Sequence, residues 1–213
     1  TQLCEAGHAQ HGAQGPPELV PFRPHRGWVQ WGVVATGLVC PSLGSRGVTP
    51  PAPVELDLAY LCPDPESQPQ DPVGEKGWND LLSQWLGALQ EELPAELQAE
   101  AYSLGLQFCD DVAIAELNGA WRNNPVPTDV LSFAAQEEQP LQLEGVPLEL
   151  GDIVISLPTA VRQAPEHGND LNAELLFLVS HGLLHLLGWD HPDEAALIAM
   201  LERQQALIGG GKS

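Results

Sequence analysis

The sequence predicts an α+β protein with a single folded domain, in which helices pack on one small mixed β-sheet behind a disordered N-terminal tail. The chain of 213 residues is long enough for one domain with a substantial core and an additional segment. Apolar residues follow strand spacing in some stretches and helical spacing in others. These stretches mix without strict strand–helix–strand alternation, which favours α+β over a doubly wound sheet.

Residues 1–53 are predicted to form the tail, and residues 54–213 the folded domain. Proline and glycine each contribute 8 residues to the tail, at the roughly 25–30% level that is typical of disordered sequence. Arg23 and Arg26 precede an apolar stretch that faintly resembles a signal peptide. Export is not favoured, because the stretch starts late, contains Gln30 and lacks a clear cleavage site.

Four strands are predicted within the domain. The clearest is Val54–Tyr60, in which apolar and polar residues alternate. A Pro-rich polar connection follows at 63–76. The other three predicted strands are 102–109, 129–133 and 152–156.

Five helices are predicted from helical spacing of apolar residues and from residues that start or end helices. The first carries an apolar face from Trp78 to Leu89 and ends before Pro94. The second runs over 112–122 and is capped by Asp110 or Asp111. The others are a short helix after Pro158 that precedes a loop at 166–169, an apolar helix from about Leu171 to Leu187, and a last helix from Ala195 to about Leu207.

The formal net charge of −21 comes entirely from the predicted domain. Residues 54–213 carry 5 bases and 27 acids, whereas the tail carries 3 bases and 2 acids. A general nucleic-acid-binding protein would be basic. This chain would therefore hold RNA only through a focused site, a metal or a partner, and its acidity also favours solubility in a salty cytoplasm.

The cysteine pattern and the hydropathy indicate a cytoplasmic protein without a membrane partner. The four cysteines are scattered and form no Cys-x-x-Cys pair, so neither a disulfide framework nor a zinc ribbon is predicted. No apolar run reaches the roughly 18 residues that span a bilayer.

Three histidines within eleven residues, His181, His185 and His191, predict a metal site. His181 and His185 are four apart, so on a helix their Cβ atoms lie about 5–6 Å apart on one face. Gly188 can stop the helix, because glycine adopts the left-handed conformation at low cost, and the chain can then return His191. Three histidine ligands leave one tetrahedral position open, as in catalytic zinc sites.

The motif differs from the metzincin protease pattern at Gly182. That pattern places a glutamate directly after the first histidine, where it acts as the general base. Glycine accepts no proton, so peptide hydrolysis by that route is not predicted. The alternative of buried helix histidines plus a loop histidine is disfavoured, because His191 lies just past a helix-ending glycine.

Three segments together resemble the YbeY family of bacterial endoribonucleases. The first is Glu-Leu-Asn-Gly-Ala-Trp-Arg at 116–122, and the second is Pro-Thr-Asp-Val-Leu-Ser-Phe at 127–133. The third is Leu-Gly-Asp-Ile-Val-Ile at 150–155, followed by the histidine motif at 181–191. The likeness covers roughly residues 54–208.

The resemblance implies a zincin-like helix and one zinc ion per chain, bound by His181, His185 and His191, with Arg122 near that ion. It also implies a single-strand-specific endoribonuclease that acts in ribosomal RNA maturation, notably at the small-subunit 3′ end, and in ribosome quality control. RNA and the ribosome or its proteins would be the partners. The long tail and the acidity depart from the family pattern, and the acidity argues against autonomous RNA affinity.

Arg122 and His181 are assigned to catalysis. A guanidinium binds phosphate through a two-pronged fork, and the alternative role for Arg122 is a surface salt bridge. No general base stands out, and a metal-bound hydroxide and the RNA 2′-hydroxyl both remain candidate nucleophiles. Asp190 either orients a ligand histidine or caps the last helix. Asp129 and Asp152 are interpreted as turn, cap or fold residues.

Two other functions remain open at this level. One is a non-catalytic ribosome-associated protein whose zinc mainly stabilises the fold. The other is a metallohydrolase of another substrate class. The open coordination position favours an enzyme, whereas the acidity and the missing base favour the non-catalytic protein.

Overall fold

The computed structural model of the chain describes residues 53–63, 69–135 and 145–210. The predicted tail up to residue 52, and with it Cys4 and Cys40, lies outside the described residues, as do positions 64–68 of the predicted Pro-rich connection. Within the described residues, the strands are β1 (Glu55–Leu61), β2 (Ala101–Cys109), β3 (Val130–Ala134) and β4 (Leu148–Ser156). The α-helices there are α1 (Gly74–Leu89), α2 (Asp111–Arg122), α3 (Leu157–His167), α4 (Leu171–Leu186) and α5 (Glu194–Gly210).

The described strands form one mixed sheet in the order β1-β2-β4-β3. The pairs β1–β2 and β2–β4 are parallel, and β3 pairs antiparallel with β4. The order places β3 at an edge of the sheet. This small mixed sheet, with its helices, confirms the predicted α+β class.

The main core lies on one face of the sheet. Alternate β2 residues from Tyr102 to Phe108 are buried against apolar residues of α1, α4 and α5. Helix α4 is the centre of this core and is buried on nearly every side from Leu175 to Leu186, which explains why its sequence is apolar all round. Among the described helices, none is both long and apolar enough to cross a membrane.

Helix α2 covers part of the opposite face. Its Ile114 is fully buried against Cys109, Leu131 and Val154, which come from β2, β3 and β4. Asp110 caps the helix by accepting a hydrogen bond from the Ala113 amide. Near the other end of the helix, Trp121 packs on Phe133 of β3 with ring centroids 5.7 Å apart, so Arg122 lies close to that strand.

The boundaries of α3 and β4 differ from the prediction in instructive ways. Helix α3 begins at Leu157, capped by Ser156, and runs through His167, so the loop predicted at 166–169 is wrong for its first two residues. Proline is compatible with a first helical turn, which lets the helix include Pro158. Strand β4 starts at Leu148 rather than Asp152. The prediction missed its first residues because a register shift against β2 interrupts the alternation that marks a strand.

Candidate metal centre

Helix α4 brings two of the three predicted histidine ligands together. Asp170 caps the helix by accepting a hydrogen bond from the Ala173 amide at 2.7 Å. The rings of His181 and His185 lie almost perpendicular, with centroids 4.6 Å apart. Their Nε2 atoms approach to 3.1 Å, so the two side chains converge on one point beside the helix.

A tight helix ending returns the third histidine. Gly188 has φ of +87°, its amide donates to the His185 carbonyl, and the Trp189 amide donates to the Leu184 carbonyl at 3.0 Å. This pair of bonds is the Schellman motif. His191 follows, fully buried, with its ring centroid 5.3 Å from that of His181 and 5.0 Å from that of His185.

Oxygen acceptors lie at the outer ring nitrogens of His181 and His185. His185 Nδ1 lies 2.9 Å from the Trp189 carbonyl oxygen, which only accepts hydrogen bonds. His181 Nδ1 lies 3.3 Å from Oε1 of Gln204. Protons on both Nδ1 atoms would satisfy these acceptors and would leave an Nε2 lone pair on each ring for a metal.

The environment keeps these histidines neutral. Burial lowers the pKa of His181 to about 3, and the neighbouring His185 acts in the same direction. Burial also lowers the pKa of His185, with smaller contributions from His191 and from Arg122. Neutral imidazole is the form that binds a metal.

The donor set fits a metal ion. One ligand atom from each of His181, His185 and His191 lies within 4.8 Å of the others. Two imidazole nitrogens bound tetrahedrally at about 2.0–2.1 Å would be about 3.3 Å apart, close to the 3.1 Å between the two Nε2 atoms. Facing lone pairs repel each other, and a cation between them converts that repulsion into coordination.

Gly182 lies against the sheet. A Cβ atom at this position would come within 2.9 Å of Ile153 Cγ2 and 3.0 Å of Ser132 Oγ. The glutamate that metzincins carry here would therefore collide with β4 and β3. The missing base is a consequence of how α4 packs, since the helix approaches the strands more closely than a side chain allows.

Arg122 lies at the end of α2, within electrostatic reach of the histidines. The helix ends at Asn123, whose φ of 53° is left-handed. The Arg122 side chain is half-buried, and its charge contributes to the lowered pKa of His185. Burial lowers the pKa of Arg122 itself, against the opposing effect of Asp129. No carboxylate of the described residues lies within 4.0 Å of the guanidinium.

The predicted aspartates occupy distinct positions. Asp129 is buried and accepts hydrogen bonds from the Thr128 hydroxyl and the Val130 amide, whereas Asp152 is exposed. Asp190 accepts from the His191 amide at 2.8 Å. The hypothesis that Asp190 caps α5 is wrong, because the Asp193 side chain accepts the hydrogen bond from the Ala196 amide at the start of that helix.

Gln204 is the site residue that sequence reasoning missed. It is fully buried on α5 and contacts His181 from 23 positions along the chain. A signal was present, since Met200, Gln204 and Leu207 share one helical face and only Gln204 is polar. A lone amide on an apolar helical face requires buried hydrogen-bond partners.

The fold and site together define a class of α+β proteins in which a buried helix presents a three-histidine cluster able to hold a metal ion. Residues 66–210 match the family described as Endoribonuclease YbeY. The chain belongs to this family.

Individual relatives are similar to this chain over most of their own length. A protein of Synechococcus sp. (strain RCC307) named Endoribonuclease YbeY is 69% identical over 163 residues, which cover 76% of this chain and 98% of the relative. One of the same name from Parasynechococcus marenigrum (strain WH8102) is 51% identical over 168 residues, covering 75% and 90%. The solution structure of TM1509 from Thermotoga maritima is 26% identical, with a TM-score of 0.41, and covers 72% of this chain and 91% of that one.

Proposed function

We propose that this chain is a metal-dependent endoribonuclease that cleaves single-stranded RNA. Its role would be ribosomal RNA maturation at the small-subunit 3′ end and ribosome quality control, in the cytoplasm. The observation that carries the proposal is the convergence of His181, His185 and His191, whose ligand atoms lie within 4.8 Å of one another. Membership of a family whose relatives are named endoribonucleases supplies the reaction class.

The proposed cofactor is one zinc ion per chain, held by the three histidines. Three neutral imidazoles are a common donor set for catalytic zinc. Bound zinc would supply Lewis acidity, which lowers the pKa of coordinated water and polarises a phosphoryl oxygen. The protein contributes orientation, because the Trp189 carbonyl and the Gln204 side chain hold the rings of His185 and His181.

Arg122 is proposed to bind the phosphate at the scissile bond. Its guanidinium is half-buried, has no ion-pair partner among the described residues, and acts electrostatically on His185. A partly desolvated cation next to the metal ligands can neutralise charge that develops on phosphate. Such a focused positive site is needed because the domain as a whole is strongly acidic.

The catalytic domain is proposed to comprise residues 54–213, with residues 1–53 as a separate tail. The family match begins at residue 66, and β1 begins at Glu55. Ribosomal RNA is the proposed substrate, and the ribosome or its proteins would bring the acidic domain to it.

The test is cleavage of single-stranded RNA from the small-subunit 3′ end by the full chain, compared with the same sequence in a duplex. Elemental analysis should find about one zinc per chain. Chelation should abolish cleavage, zinc should restore it, and His185→Ala should lose both metal and activity. Cleavage that survives chelation, or full metal content in each single histidine variant, would contradict the proposal.

A further inference from the structure

Gln204 lies on α5, whereas His181 and His185 of the histidine cluster lie on α4. Its side chain is fully buried. The amide Nε2 donates to the Phe177 carbonyl at 2.6 Å, so Oε1 is the atom that faces His181 Nδ1 at 3.3 Å. The orientation of the amide is thereby determined, since the Phe177 carbonyl can only accept a hydrogen bond.

Helix α5 is itself anchored on both sides of Gln204. The Trp85 indole N–H donates to the Leu207 carbonyl at 3.1 Å. Arg203 donates to the Ala88 carbonyl at 3.1 Å and pairs with Glu92 at 2.7 Å. These contacts connect α5 to α1 and to Glu92 just after it. Gln204 therefore has little freedom to move away from the cluster.

The position of the His181 proton follows from this arrangement. An acceptor at Nδ1 stabilises the tautomer that carries its proton there, and this tautomer leaves the Nε2 lone pair directed at His185 Nε2, 3.1 Å away. In the opposite tautomer, a proton would occupy the space where the metal binds. Phe177 stacks on the ring, with 9° between the planes, and limits its rotation.

We infer that Gln204 is a positioning residue that sets the tautomer and ring orientation of His181, so that the cluster is prepared for a metal before the metal arrives. The inference rests on the metal site of the proposed function and goes beyond it by assigning a role to α5. Outer partners of this kind change metal affinity by roughly 10–100-fold. A purely structural amide would change the stability of the fold and leave metal affinity alone.

The experiment compares the full chain with Gln204→Met, Gln204→Glu and Met200→Leu. Zinc affinity is measured by competition with a chelator, and the His181 tautomer in the metal-free chain by nitrogen-15 NMR of the imidazole. Gln204→Met should weaken zinc binding by roughly 10–100-fold and mix the tautomers. Gln204→Glu retains an acceptor and should bind zinc within a few-fold of the unaltered chain.

Met200→Leu is the matched control, because Met200 is also fully buried on α5, and among the described residues the hydrogen bond from α5 to His181 comes from Gln204 rather than from Met200. Equal zinc affinity in Gln204→Met and the unaltered chain, or an equal loss in Met200→Leu, would overturn the inference. If Gln204→Met does not fold, the tautomer measurement on the unaltered chain still decides. Finding the His181 proton on Nε2 would by itself overturn the inference. Absence of zinc binding by the unaltered chain would refute the metal site instead, and the tautomer measurement still tests Gln204.

Discussion

At the scale of single residues, the ring nitrogens of His181 and His185 define the geometry of the candidate metal site. Each Nδ1 faces an oxygen acceptor, and the two Nε2 atoms face each other. The site is therefore prepared by hydrogen bonds outside the cluster as much as by its three histidines. Arg122 adds a positive charge that neutral His181 and His185 do not provide.

Replacement of Arg122 tests whether this charge serves catalysis. Arg122→Ala should lower RNA cleavage by roughly tenfold or more, the equivalent of about 1.5–3 kcal/mol for a charge-assisted hydrogen bond. Arg122→Lys should rescue only part of the rate, because the two-pronged geometry is lost. Metal content and melting temperature should stay nearly unchanged in both variants. A normal rate for Arg122→Ala, together with a clear loss of stability, would make Arg122 a structural residue.

Cys109 should be unreactive in the folded chain. It is 5% exposed, and burial, followed by the nearby Asp110 and Asp111, raises its pKa to about 12. Since the thiolate is the reactive form, the fraction available at pH 8 is negligible. Iodoacetamide labelling followed by peptide mapping should therefore modify Cys109 only after unfolding. Labelling at the same rate in native and denatured chain would show that the α2 face opens readily.

At the scale of elements, the packing of α4 on the sheet determines what chemistry is accessible. The close approach of Gly182 to Ile153 and Ser132 lets the helix lie directly on β4 and β3. The same approach excludes the glutamate of a metalloprotease. The Schellman ending at Gly188 then returns the chain, so that the Trp189 carbonyl and His191 both reach the cluster.

Gly182→Ala should destabilise the fold although alanine favours helices. The added methyl group would overpack against Ile153, and overpacking typically costs about 1–3 kcal/mol. Gly182→Glu should be worse, and it should not create protease activity. Chemical denaturation of the metal-free chain measures both effects.

Gly209 provides a matched control for this prediction. It lies near the end of α5, is exposed, and an added Cβ would have nothing within 4 Å. Gly209→Ala should be neutral or stabilising, by up to about 1 kcal/mol. If alanine at Gly182 and at Gly209 changed the free energy of unfolding equally, α4 would not pack tightly against β3 and β4.

At the scale of the whole molecule, the tail and the domain are expected to be independent. A chain that starts at Val54 should melt cooperatively and still bind zinc, because the Pro/Gly-rich tail is expected to stay disordered rather than to repay the entropy of ordering. The boundary matters, since the backbone of Val54 exchanges hydrogen bonds with Ser83 of α1. Calorimetry and elemental analysis measure the two properties.

A chain that starts at Cys62 is the contrasting variant, because it lacks β1 and with it the parallel pairing to β2. It should be markedly less stable than the chain that starts at Val54. Aggregation of the Val54 chain, with the full chain remaining soluble, would indicate that the tail packs on the domain.

Features that depend on neighbouring residues were predictable from the sequence. Helical spacing and the glycine at 188 predicted α4 and its end, and the spacing of the histidines predicted that they converge. The alternation of Val54–Tyr60 predicted β1 to within one residue. These features are local, because periodicity and backbone preferences act over a few residues.

Tertiary structure alone decided the features that join distant parts of the chain. The order β1-β2-β4-β3 depends on which strands pair across the sheet. The exclusion of a side chain at Gly182 depends on Ile153, and the orientation of His181 depends on Gln204. Neither partner is near its counterpart in sequence, and their contact follows only from how α4 and α5 pack. The sequence by itself determined which residues could bind a metal, and packing determined how they are held.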